Sequence, residues 1–184
     1  MRKLIVSERV TLDGVFDATS MGVWDFPSHS LARGAFIANA IHDSDAYLLG
    51  RTTYEMLWPG WSAYKNNEEG IADKLNSMAK YVISSTLKEA AWNNSTILSD
   101  DPVEEVRRLK TQPGQSILVH GSGMLVQALL QAGLVDELHI LVHPFIQGSG
   151  KRLFGDQAHT ALELIETQIL EKGVLALRYQ PKTG

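Results

Sequence analysis

A chain of 184 residues and 20.3 kDa, 44% of it hydrophobic, is long enough to bury roughly 70% of its unfolded surface as a single domain over residues 1–184. It has no cysteine, which removes disulfide frameworks, thiolate zinc sites and cysteine nucleophiles and suits a reducing compartment. Lys and Arg (17) against Asp and Glu (21) leave a formal charge of −4, without the basic footprint that a nucleic-acid backbone requires.

Along the chain, the basic start Met1-Arg2-Lys3 is followed by only three apolar residues before Ser7, Glu8 and Arg9, so residues 3–7 read as a strand and not as a signal peptide. No apolar run approaches the roughly 18 residues of a membrane helix, and the expected location is the cytoplasm. Residues 11–28 form a long loop with Asp13-Gly14, Asp17, Gly22, Trp24-Asp25 and Phe26-Pro27, a length that often marks function. Leu31, Ala35, Ala38 and Ile41 predict one face of a helix over 31–41, capped by Ser28 or Ser30, and residues 46–49 predict a second buried strand. Thr52 and Glu55 make a capping-box pattern for a helix that Trp58-Pro59-Gly60-Trp61 then breaks. A helix over 71–78, strands over 81–84 and 96–98, and an Asp101-capped helix over 103–110 follow.

Residues 117–154 pack two strands, two glycine turns and a helix into one unit. Ile117-Leu118-Val119-His120 is a short buried strand, and Gly121-Ser122-Gly123 turns it directly into the helical spacing of Met124, Leu125, Ala128 and Leu129. A glycine turn admits close approach of a ligand, and a helix N-terminus offers unpaired N–H groups with partial positive charge, so phosphate is the natural guest. Gly133 ends the helix and residues 138–142 form the next strand. Residues 162–169 and 174–179 alternate around Glu171-Lys172-Gly173, as an antiparallel hairpin does. The predicted class is α/β: a mostly parallel mixed sheet between helical layers, with an antiparallel C-terminal hairpin.

The stretch Gly50-Arg51-Thr52-Thr53-Tyr54-Glu55 resembles the strand-to-helix signature of the dihydrofolate reductase superfamily. Gly121-Ser122-Gly123 with residues 125–130, then 133–138, Pro144 and 148–154, is similar to one branch of it, the C-terminal reductase domain of the bifunctional riboflavin-pathway deaminase/reductase and its stand-alone relatives. Thr11-Leu12-Asp13-Gly14 is similar to the Ser-Leu-Asp-Gly turn of that branch, and the resemblance runs over residues 3–179. It implies a three-layer α/β/α sandwich, a homodimer, and NADPH bound across the ends of the parallel strands. By the same resemblance, Gly50, Arg51, Thr52 and Thr53 contact nucleotide phosphates, Ser84, Ser85 and Thr86 the adenosine ribose side, and Gly121, Ser122, Gly123, Met124 and Leu125 the pyrophosphate. The implied reaction is hydride transfer from NAD(P)H to a small heterocycle or carbonyl, most like the reductive step on the ribosylaminopyrimidine of riboflavin synthesis.

The chain departs from its relatives where substrate binds. The riboflavin-pathway enzymes carry a Glu before the glycine pair and a Lys on the first strand, where this chain has His120 and Ser7; dihydrofolate reductases place an acid at the start of the first helix, and Ser30-Leu31-Ala32-Arg33-Gly34 has none. An aminopyrimidine substrate, a pterin substrate, and a nucleotide-binding protein without turnover therefore all stay open. Only Lys88 lies near Ser85 to select a 2′-phosphate, which leaves NADH beside NADPH. Asp13 is read either as a turn residue or as a substrate or catalytic group, and His120 either as a core histidine or as a proton-transfer group. Trp24, on a predicted loop like Trp58 and Trp61, is read either as a core residue or as a stacking surface for a flat heterocycle, and Pro144 is taken with it as substrate-binding. His139 and His143 lie roughly 13 Å apart on one strand, too far to share a metal ion.

Overall fold

The computed structural model describes residues 1–64, 70–155 and 159–182. Its elements are β1 (Leu4–Thr11), α1 (Met21–Trp24), α2 (Leu31–His42), β2 (Ser44–Gly50), α3 (Arg51–Ala63), α4 (Ile71–Ser77), β3 (Ala79–Ile83), β4 (Ser95–Leu98), α5 (Pro102–Thr111), β5 (Ser116–Val119), α6 (Gly123–Gln131), β6 (Glu137–His143), β7 (Leu162–Ile169) and β8 (Leu175–Pro181). The eight strands form one sheet in the order β4-β3-β2-β5-β1-β6-β8-β7. Pairing is parallel from β4 to β6, and the β7–β8 hairpin is antiparallel, as its alternating sequence predicts.

The helices bury two separate faces of this sheet. On one, Leu4, Val6, Ile117 and Val119 pack against Val106 and Leu109 of α5 and Leu125, Val126 and Leu129 of α6. On the other, Ile5, Tyr47, Leu49 and Leu118 pack against Ala38 and Ile41 of α2, Tyr54 of α3 and Leu75 of α4. Strands apolar on both faces must be covered on both, which explains their near-continuous hydrophobic reading.

Several local expectations are corrected. Residues 18–28 of the supposed loop fold into α1 flanked by 3-10 turns at Ala18–Ser20 and Phe26–Ser28. Leu31 is 82% exposed, and the face that α2 buries carries Arg33, Gly34, Ala38, Ala40 and Ile41. Thr52 is not a cap: β2 feeds straight into α3 with Gly50 at the N-cap, and Glu55 pairs with Arg51. Nor does Pro59 break α3, because Leu57, Trp58 and Trp61 on either side of it pack onto the same core. Ser30 and Asp101 do cap α2 and α5, and Gly133 (φ +65°) closes α6.

Candidate active site

β1 and β5 part company at their carboxyl ends. Their pairing stops at Val6 and Val119, while β1 runs on beside β6 as far as Thr11 and His143. The chain leaves β1 towards α2 on one face and leaves β5 into α6 on the other, so the two strand ends diverge, with the Glu8 side chain bonding across to the Gly121 amide. Such a point, where connections diverge to opposite faces, is where α/β sheets open a ligand crevice.

The two glycine turns border this crevice and touch each other. The Gly50 amide lies 3.3 Å from the Gly121 carbonyl, and a Cβ at Gly50 would fall 2.6 Å from Ser122 Oγ. Gly121 has φ +62°, and a Cβ on it would lie 2.7 Å from Thr53 Oγ1 and 3.4 Å from the Phe16 ring, so both positions need glycine. The Gly121-Ser122 peptide is cis. The helices that start here, α3 and α6, have no side-chain cap, in contrast to α2 and α5. No capping side chain takes their first N–H groups.

Most of the predicted cofactor residues line this border. Arg51 and Thr52 are exposed, Thr53 sits against Gly121, and Ser122 and Gly123 open α6. The next position over is the end of β3, where Ile83 pairs with Gly50. There Ser84 is buried and accepts the amides of Thr86 (3.2 Å) and Leu87 (2.9 Å), shaping a turn that exposes Ser85 and Thr86. Met124 is 82% exposed beside the turn, whereas the Leu125 side chain is buried in the core and can offer a ligand only its backbone.

Asp13 has a structural task. Its carboxylate accepts Thr11 Oγ1 (2.6 Å) and the amides of Gln147 (3.1 Å) and Gly148 (2.8 Å), and the Thr11 hydroxyl first, then these amides, hold it down at about 2. It pins the 11–17 segment to the 145–152 segment, as do the Val15 to Arg152 bridge and the bond from Arg152 to the Asp13 carbonyl. His120 stands at the crevice with Nδ1 2.7 Å from the Tyr47 hydroxyl, and burial, with Arg9 and His139 adding to it, pushes its pKa down to about 3. The imidazole is neutral at physiological pH.

Trp24 is not an open stacking surface. It is 2% exposed, its indole N–H donates to Ser20 Oγ (3.0 Å), and its ring meets His143 edge-on at 5.1 Å, because α1 folds it inwards. Pro144 is exposed and lies against the 171–173 turn, beyond β6. The two are therefore not presented together to a ligand.

The sequence reading passed over a buried charged group beside the crevice. Asp25, fully buried, bonds Arg33, reaches Arg9 Nη1 at 3.4 Å, and lies 3.2 Å from His143 Nε2. Burial works against its charge, yet His143, Arg9 and Arg33 hold its carboxyl below the usual range. Glu8, also buried on β1, spans the parting and accepts the Gly121 amide. Adjacent charges at Glu8 and Arg9 within an apolar strand were the available signal; the partnership of Asp25 with Arg33 has none in local sequence.

Residues 2–176 match the RibD C-terminal domain family. An uncharacterized protein of Bacillus subtilis (strain 168), YyaP, is 30% identical over 186 residues, covering 97% of this chain and 94% of its own length. A putative riboflavin biosynthesis protein from Shewanella sp. PV-4 has the same fold (TM-score 0.75, 19% identity, 98% of this chain and 99% of that one). So does dihydrofolate reductase from Enterococcus faecalis, solved with NADP(H) (TM-score 0.64, 17% identity, 98% and 97%). With sheet order, glycine turns and sequence all in agreement, this chain belongs to the RibD C-terminal domain family, whose members are reductase-like, and it has the dihydrofolate reductase-like fold.

Proposed function

We propose that this protein is an NAD(P)H-dependent reductase that passes hydride to a small polar heterocycle, with an aminopyrimidine of the riboflavin-pathway type as first candidate. The observation that carries the reading is the pair of uncapped helix N-termini at two abutting glycine turns. Their N–H groups, without side-chain caps, and their partial positive charge suit a pyrophosphate, and glycine at 50 and 121 lets the two turns abut so that both helix starts meet at one border. The residues present therefore fit the cofactor. Gly50, Arg51, Thr52, Thr53, Ser122 and Gly123 would hold its phosphates, and Ser85 and Thr86 its adenosine side. Bound there, the dinucleotide supplies the hydride.

The chain's own part is positioning and exclusion of water. Phe16 covers the Gly121 turn, and the pinned 11–17 and 145–152 segments form the outer wall. The absence of an acid from the first turn of α2 favours a pyrimidine over a pterin, whose ring nitrogens call for a carboxylate there. Titration of the purified protein with NADPH and NADH, followed by nicotinamide fluorescence and thermal shift, tests the reading. Saturable binding, tighter for NADPH, is expected; binding of neither refutes the cofactor and the reaction together.

We also propose a homodimer paired through the outer hairpin. Leu164, Ile165 and Ile169 are exposed on the edge strand β7, a surface prone to pairing. Light scattering that finds a monomer for the wild type, or a dimer unaffected by Ile165→Lys, refutes this.

A further inference from the structure

Glu8 lies two residues beyond the last rung of the β1–β5 ladder, where the sheet opens. It is 4% exposed, and its Oε1 accepts the Gly121 amide across the parting. Among the described residues no Lys, Arg or His forms an ion pair with it. The charged or titratable groups that act on it are Arg9 on β1 and Tyr47 on β2, while His120, just past β5, bonds the Tyr47 hydroxyl; Arg9 acts through space while contacting Asp25, and α6 carries no ionisable side chain. A buried carboxyl with one amide partner and no paired cation keeps its proton, since little offsets the desolvation of the charged form. Burial accordingly raises Glu8 from 4.5 to about 8, with Arg9 and the Gly121 amide pulling the other way.

The other groups at the crevice are poorer acids at neutral pH. His120 is the neutral imidazole, without the acidic imidazolium proton, and Asp13 is ionised. Burial pushes the Tyr47 phenol well above its ordinary value, so it holds its proton tightly.

We propose that Glu8 is the proton donor of the reduction, acting on a substrate whose C=N or C=O heteroatom lies over the β1–β5 parting; this rests on the reductase reading above. Hydride from the reduced nicotinamide enters the electrophilic carbon, and the π electron pair moves onto the nitrogen or oxygen. That atom takes the proton from the Glu8 carboxyl, whose O–H bond breaks. The resulting carboxylate keeps the Gly121 amide as its donor, and solvent water reprotonates it. The dinucleotide is the only reductant required.

The test begins with infrared titration of the protein alone from about pH 6 to about pH 10. A C=O band of a protonated carboxylic acid is expected, lost with a midpoint near 8 and absent from Glu8→Gln. NADPH oxidation is then followed with 5-amino-6-(5-phosphoribosylamino)uracil and with 7,8-dihydrofolate. Glu8→Gln should lower kcat by roughly 10²–10⁴-fold, change the NADPH Kd less than about threefold, and remove the fall in kcat that the wild type shows above about pH 8. Glu8→Asp, a carboxyl withdrawn by one methylene, should retain the band and part of the rate, and it carries the test if circular dichroism shows that Glu8→Gln has not folded. No titrating band in the wild type, or full kcat in Glu8→Gln, overturns the assignment, and so does NADPH binding without oxidation on either probe. Failure to bind NADPH overturns the reductase reading instead.

Discussion

Gly50→Ala probes the contact between the two glycine turns directly. The backbone there (φ −75°, ψ 156°) suits alanine without strain, so the whole cost comes from the new methyl group. That methyl would sit 2.6 Å from Ser122 Oγ, 3.1 Å from Ser122 Cβ and 3.2 Å from Ser122 N. The hydroxyl can rotate away, but the Cβ and the backbone nitrogen belong to the start of α6 and must move with it. Overpacking of this kind costs about 1–3 kcal/mol, which for a domain of this size lowers Tm by roughly 2–12 °C. Displaced N–H groups also meet a phosphate less well; losing one charge-assisted hydrogen bond, worth about 1.5–3 kcal/mol, weakens NADPH at least tenfold. Ser122→Gly removes two of the three close contacts, so the double variant should recover part of the loss, with a coupling energy of about 0.5–2 kcal/mol. Urea denaturation and NADPH titration of the four proteins in this cycle measure both quantities. A Gly50→Ala protein as stable as the wild type, or single costs that simply add, would refute the contact between the turns.

Three further outcomes follow from buried groups elsewhere. Because the folded chain keeps the Glu8 proton that the unfolded chain releases above its ordinary 4.5, this contribution to stability is complete below that pH and is lost as pH rises through about 8. Its ceiling is roughly 5 kcal/mol and relaxation should halve it; Glu8→Gln should flatten the slope of urea stability against pH, and an unchanged slope sinks the assignment of a buried, protonated acid. Lys80 is fully buried and its Nζ donates to the carbonyls of Leu75 (2.6 Å), Met78 (2.8 Å) and Asn76 (3.4 Å), closing the end of α4, so Lys80→Met should cost about 1–3 kcal/mol in urea unfolding despite its added apolar surface. Trp24→Ala should lower stability by about 3–5 kcal/mol; a variant of wild-type stability that only loses substrate affinity would restore the stacking role that burial argues against.

Strand and helix order was legible because each β-to-α passage is signalled locally, by an apolar run, a glycine and then a 3.6-residue period, as at Leu49-Gly50-Arg51 and His120-Gly121-Ser122. The pair of glycine turns proposed to border the cofactor was legible for the same reason. Capping chemistry was less transparent: Thr52 and Glu55 have the spacing of a capping box, but the strand leads directly into the helix and leaves no turn for Thr52 to cap. What stayed hidden depends on which strands become neighbours. Nothing near Glu8 states that β1 separates from β5 two residues earlier, and nothing near Trp24 states that Ser20 and His143 enclose it. The charges at Glu8 and Arg9 were visible as an interruption of an apolar strand, but their use could be read only from the sheet order.

That order bears on how the chain is made. β1 is synthesised before β5 and β6, yet it lies between them, and its first rung joins Leu4 to Ile117. At about 5–20 residues per second, a nascent chain waits roughly 6–23 s before the partner of Leu4 exists. Throughout that interval Leu4, Ile5 and Val6 have no sheet to enter, while β2, β3 and β4 can already pair with one another. The ribosome therefore releases a chain whose central strand docks late, and chaperone capture should map to residues 4–11 more strongly than to the β2–β4 unit.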